Sequence, residues 1–100
     1  MTADDTILLP SVDAFAEAAE RLIAAGEDAV ALGLAFAHQQ ALWGQVLADV
    51  AASASALPPA LRDDLLRLAA IVLEDLEELE PDIALHITVN RAMRDGLADG

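Results

Sequence analysis

Cysteine, lysine and tyrosine are absent from this chain of 100 residues, which contains one tryptophan and two phenylalanines. Without cysteine the chain can form neither a disulfide nor a thiolate metal site. Without lysine its positive charge is confined to five arginines, which face 18 acidic residues and give a formal net charge of −13. The remaining composition is that of an acidic chain whose core must be built mainly from aliphatic side chains.

The strong negative charge excludes two classes of partner. A protein that binds nucleic acid needs basic side chains that replace the counterions around the phosphates, and this chain has no basic cluster. An anionic membrane surface would repel it for the same reason. A protein partner with a basic or apolar face remains compatible with the charge.

The uncharged stretch 29–48 is the candidate for a membrane-spanning helix, because its 20 residues are enough to cross a bilayer. However, His38, Gln39 and Gln40 lie at its centre, and neither an aromatic belt nor a basic flank frames it. The acidic residues 1–5 also lack the basic start of a signal peptide. We therefore expect the stretch 29–48 to form a helix in the core of the protein.

The clearest helix begins at Pro58-Pro59, because proline is tolerated in the first turn of a helix. Its apolar residues recur every three or four positions as far as Leu79, and Pro81 cannot continue it. The 23 alanines of the chain favour helix elsewhere too. Similar patterns predict three more helices, at about 11–26, 27–52 and 81–97.

Short connections between these segments favour antiparallel neighbours, so the predicted fold class is all-α, a small antiparallel bundle of about four helices. Residues 1–10 are predicted to be a loosely ordered N-terminal arm, and residues 11–98 the single helical domain. The predicted core contains the large residues of the apolar stripes, namely Phe36, Trp43, Leu47, Leu61, Leu65, Leu68, Val72 and Leu76.

Three polar residues interrupt the apolar stripes. Gln39 lies within the stripe of the second helix, and His86 and Asn90 lie within that of the fourth. Because buried polar groups need hydrogen-bond partners, these three are expected to bond across helices or to meet a bound chain. His38 is expected to be exposed. Two histidines without cysteine do not make a zinc signature, so no metal and no cofactor is expected.

No nucleophile elbow and no glycine-rich phosphate loop occurs, so we expect no catalytic residue and no enzymatic activity. The acidic run 74–82 lacks the glycine hinge and the alternating carboxylates of a calcium loop. It is most simply a solvated helix face. Its one functional interpretation is a docking face for a basic partner, formed by Glu74, Glu77, Glu78 and Glu80.

The fourth helix has an apolar arc that is wider than one neighbouring helix can cover. Residues at the edge of that arc could form the wall of a groove for an amphipathic segment of a partner. The predicted partner-binding residues are Leu85, Val89, Asn90, Met93 and Leu97.

Short motifs follow one another at a characteristic spacing in residues 39–97: Leu42-Trp43, Leu47-Ala48-Asp49-Val50, Leu57-Pro58-Pro59-Ala60-Leu61-Arg62, Leu68-Ala69-Ala70-Ile71-Val72, Ile87-Thr88-Val89-Asn90-Arg91 and Gly96-Leu97. Together they resemble the flagellar biosynthesis regulator FlaF family. The resemblance implies a small cytoplasmic protein, a flagellin-binding export chaperone or regulator whose partners are flagellin and the regulator FlbT. A homo-oligomer is also compatible. The alternative is a generic helical interaction or oligomerisation domain unrelated to flagella.

Overall fold

A computed structural model describes residues 9–52 and 56–99 of the chain. Four helices follow one another: α1 (Val12–Ala25), α2 (Ala29–Ala52), α3 (Pro59–Asp75) and α4 (Ile83–Asp99). No strand occurs in the described residues, so the predicted all-α fold is confirmed. Of the predicted N-terminal arm, residues 1–8 lie outside the described part of the chain.

The turn between α1 and α2 is fixed by local hydrogen bonds and by a glycine. Gly26 follows α1 with a φ of 53° and a ψ of −121°, a conformation that only glycine adopts without strain. The Asp28 carboxylate then accepts hydrogen bonds from the backbone N–H groups of Val30 (3.0 Å) and Ala31 (3.1 Å). These bonds satisfy N–H donors of the first turn that have no partner inside α2, so the second helix begins directly after Asp28.

Helix α3 begins at Pro59 as predicted, but it ends at Asp75 rather than at Leu79. The Asp75 carboxylate accepts the backbone N–H of Asp82 (2.8 Å), which closes a tight reversal between α3 and α4. Asp82 in turn accepts the N–H of Leu85 (3.1 Å) and caps α4. Leu79 is fully exposed in this reversal, so the leucine pattern overestimated the length of the helix.

The core lies where α1 packs against both α2 and α4, and where α2 packs against α3. At its centre the rings of Phe15 and Trp43 meet edge to face, with 5.8 Å between their centroids. Val46, Val50 and Val72 are fully buried around them. Within the described residues, no helix is long and apolar enough to cross a membrane.

Two residues of the predicted core lie at the surface. Leu47 is 39 % exposed, because the buried side of α2 runs through Gln39 and Val46 and places Leu47 beyond its edge. Leu61 is 45 % exposed, because the first turn of α3 borders an open groove. Of the other predicted core residues, three are buried and three half-buried: Trp43, Leu65 and Val72 in the first group, and Phe36, Leu68 and Leu76 in the second.

Candidate functional site

A network of polar side chains crosses the core between α2 and α4. Trp43 Nε1 donates to Asn90 Oδ1 (2.9 Å), and Asn90 Nδ2 donates to Gln39 Oε1 (2.7 Å). Gln39 Nε2 lies 3.2 Å from Asn90 Oδ1 and 3.1 Å from His86 Nδ1. The other ring nitrogen of His86 lies 2.8 Å from the Asp75 carboxylate. Gln39, Trp43, His86 and Asn90 are fully buried, and the Asp75 side chain is 20 % exposed.

The donors and acceptors of this network have a fixed order. An indole N–H can only donate, so the oxygen of Asn90 must face Trp43 and its amide nitrogen must face Gln39. Gln39 then accepts with its oxygen and donates with its nitrogen, which makes Nδ1 of His86 an acceptor. The ring proton therefore sits on Nε2 and is donated to Asp75.

Asp75 connects this network to the surface. One of its carboxylate oxygens, Oδ2, accepts from both the His86 ring and the backbone N–H of Asp82. The end of α3, the start of α4 and the buried histidine are thus joined at a single oxygen atom. Because each partner is satisfied, the network stabilises one rotation of α4 relative to α2.

The three polar residues singled out in the sequence do bond across helices. Gln39, His86 and Asn90 form the centre of the network. Of the two expectations, hydrogen bonds across helices or contact with a bound chain, the first is therefore confirmed. Sequence reasoning missed Trp43 and Asp75 as members. A buried tryptophan N–H needs an acceptor, so Trp43 could have been anticipated. Nothing in the local pattern marks Asp75 among its acidic neighbours.

An apolar groove lies further along α4, beyond the turn that carries Asn90. It runs between the first turns of α3 and the last turns of α4 and encloses a cavity of about 470 Å³. Its walls are almost wholly apolar: Leu9, Leu57, Leu61, Leu65, Ala92, Met93, Gly96 and Leu97.

Two of the predicted partner-binding residues are not at this groove. Val89 is buried in the core cluster together with Phe15 and Leu65, and Asn90 is held by the polar network. Both are covered because they lie in the middle of α4, where the bundle packs against this face, whereas the groove lies at its last turns, so the prediction that they touch a partner is corrected. Met93 and Leu97 line the groove, and Leu85 is half-buried further along α4.

The acidic residues after α3 form a turn rather than one helix face. Glu74 lies in the last turn of α3, whereas Glu77, Glu78 and Glu80 follow its end, and all four are exposed. The ion pairs that arginines form in the described residues are made within their own helices, for example Arg21 with Glu17 (2.9 Å) and Arg94 with Asp95 (2.8 Å). The hydrogen bond from Arg94 lowers the pKa of Asp95. None of these pairs involves an acid of the turn, so its charge is uncompensated.

The histidine and carboxylate side chains do not form a metal site in the described residues, since no three potential ligands converge there. His38, which was expected to be exposed, is half-buried. Its Nδ1 is buried and has no hydrogen-bond partner within the described residues.

A protein-family model described as flagellar protein FlaF matches residues 10–97 of the chain. This chain belongs to the FlaF family. The match reaches further than the resemblance seen in residues 39–97, because it also includes α1. The FlaF match therefore contains the polar network, the acidic turn and every wall residue of the groove except Leu9.

No curated protein and no solved structure matches the chain. The sequence left two interpretations open, a flagellar protein and a helical domain unrelated to flagella, and FlaF membership decides between them. A FlaF protein is a flagellar protein, so the alternative of a helical domain unrelated to flagella is set aside.

Proposed function

We propose that this FlaF-family chain is a cytoplasmic flagellin-binding export chaperone, acting by protein–protein binding and catalysing no reaction. The observation that carries the proposal is the apolar groove between α3 and α4. Amphipathic helices dock by laying their apolar face in such a groove. A secretion client kept unassembled would offer segments of this kind.

The walls of the groove suit a helical client. Leu61 stands 45 % exposed at one wall, and Met93 stands half-buried at the other. The flexible thioether of methionine adapts to different apolar surfaces, which suits a site that receives a partner. Because the polar network fixes the rotation of α4, Met93 and Leu97 are held toward the groove before a client arrives.

The groove can be tested with one pair of matched variants. Leu61→Glu places a charge where the client's apolar face would lie, so we expect its affinity for purified flagellin to fall about 30-fold or more, which corresponds to ~2 kcal/mol. Leu79→Glu makes the same change at a fully exposed leucine in the acidic turn and is the control. Titration calorimetry measures both affinities, and circular dichroism verifies that both variants remain helical.

Equal affinities of Leu61→Glu and the unchanged chain would refute the groove as the binding site. Failure of the unchanged chain to bind flagellin at all would refute the chaperone proposal. Binding of the regulator FlbT without binding of flagellin would assign the chain to regulation instead.

The acidic turn is proposed to accelerate encounter with a basic region of the partner. Replacing Glu74, Glu77, Glu78 and Glu80 together by glutamine removes the uncompensated charge without changing the side-chain length. We expect a slower association rate at low salt and a weaker dependence of that rate on salt, because exposed charges act mainly through steering. Stopped-flow mixing measures this rate. If the rate and its salt dependence are unchanged, the turn has no part in binding.

A further inference from the structure

The chain enters α1 from the apolar groove. Leu9, the first residue that the structure describes, is one of the groove's walls and also packs against the core cluster. Two residues later Ser11 caps α1, since its side chain accepts the backbone N–H of Ala14 (3.2 Å). Pro10 restricts the backbone between them. The start of α1 thereby holds Leu9 at the groove.

The residues directly before Leu9 are apolar. We define residues 1–8 as the leading segment, which contains two aspartates and ends in Ile7 and Leu8. Consecutive Cα atoms are about 3.8 Å apart, and two peptide units span at most about 7 Å. Covalent geometry alone therefore brings two aliphatic residues to an apolar groove, while the aspartates can remain in water.

The groove has room for both side chains. A cavity of about 150 Å³ lined by aliphatic residues can hold a benzene molecule. The cavity of the groove is about three times as large, at about 470 Å³. A Cβ atom added to Gly96 in its wall would meet nothing within 4 Å, so the space there is open. Leu61 and Ala92 are exposed at its walls.

We propose that Ile7 and Leu8 dock in the groove of their own chain and leave it when a client binds there. A segment joined directly to a wall of the groove meets it at an effective concentration of about a millimolar or more, independent of protein concentration. A second copy of the same intrinsic affinity must reach that concentration in solution to compete equally. Displacement by a client rests on the proposed chaperone function, whereas the docking itself does not.

The docked segment is held weakly. Burying two aliphatic side chains gains free energy of the same order as the conformational entropy that is lost when the residues carrying them are fixed. The leading segment therefore covers the groove for only part of the time. A client that brings a larger apolar face displaces it.

A single thiol in the groove tests the docking without any client. The chain has no cysteine, so Ala92→Cys adds one thiol at an exposed residue of the groove. Adding Ile7→Ser/Leu8→Ser should speed its reaction with N-ethylmaleimide about two- to tenfold, as for a site covered between about half and nine-tenths of the time. Serine leaves the charge near the thiol unchanged, so the rate reports coverage. The control is Ala84→Cys, an exposed residue in the first turn of α4, whose rate should not respond.

Affinity for flagellin tests the displacement. Titration calorimetry of the full chain carrying Ile7→Ser/Leu8→Ser should show about two- to tenfold tighter binding than the unchanged chain, because the groove no longer has to be vacated. The control Val30→Ser/Leu34→Ser removes two exposed aliphatic side chains from α2 and should leave the affinity unchanged. Circular dichroism verifies that both double variants remain helical.

Each outcome decides one part of the proposal. Equal reaction rates of the groove thiol with and without Ile7→Ser/Leu8→Ser would overturn the docking, even in a chain that binds flagellin. A faster reaction in a chain that binds no flagellin would support the docking and refute the chaperone function. Equal flagellin affinities would overturn the displacement. Protection of the thiol that increases with protein concentration would show a second copy in the groove and overturn docking within one chain.

Discussion

Trp43→Ala is expected to lower the free energy of unfolding by about 3–5 kcal/mol, the range found when a buried aromatic side chain is removed. The ring of Trp43 is fully buried against Phe15, and its N–H is a donor to Asn90. The variant therefore leaves a void and also takes one hydrogen bond away from Asn90. Chemical denaturation followed by far-ultraviolet circular dichroism measures the loss, because the variant has no tryptophan to report it by fluorescence.

Trp43→Phe separates these two contributions. Phenylalanine keeps much of the apolar volume but has no N–H, so the loss should be smaller, about 1–2 kcal/mol. Asn90 Oδ1 would still accept from Gln39, which limits the loss. If both variants lose the same stability, the hydrogen bond rather than the packing of the ring dominates at this position, and our account of the core would be wrong.

Asn90→Leu is expected to cost about 2–4 kcal/mol although the side chain keeps nearly the same size. The change leaves the Trp43 N–H without its acceptor and removes both hydrogen bonds between Asn90 and Gln39. Buried polar groups that lose their partners cost about 1–3 kcal/mol each. Urea denaturation measures the loss, and tryptophan fluorescence provides an independent signal from the centre of the network.

The double variant Gln39→Leu/Asn90→Leu provides the control for this prediction. Replacing both amides removes the unsatisfied groups of Gln39 together with their partner, so its loss should be clearly smaller than the sum of the two single losses. Additive losses would mean that the two amides do not act as a unit. The claim that the network stabilises one rotation of α4 relative to α2 would then be refuted.

Periodicity predicted the helices well because apolar spacing and proline act locally. The start of α3 at Pro59 follows from the ring of proline itself, which suits the first turn of a helix. The end of α3 does not follow from spacing, since the leucine pattern continues to Leu79. The helix stops at Asp75 because that carboxylate binds Asp82 and His86, which are distant contacts that no local pattern records.

The candidate site was only partly predictable for a similar reason. An apolar arc shows which residues of α4 avoid water, but not which of them face the bundle and which face a groove. Val89 faces the bundle and Met93 borders the groove, although the sequence placed both on the open side. Gln39, His86 and Asn90 were recognisable because polar residues in an apolar stripe must be satisfied somewhere.

Trp43 also gives the chain a built-in optical probe. With no tyrosine present, the near-ultraviolet fluorescence beyond the phenylalanine band comes from this single indole, and its N–H donates to the side chain that links α2 and α4. The emission should be that of an apolar environment and should shift to longer wavelength when α4 separates from α2. Occupation of the groove should leave it nearly unchanged, since none of the residues lining the groove is part of the network. A spectral change on adding a client would therefore report a rearrangement inside the bundle.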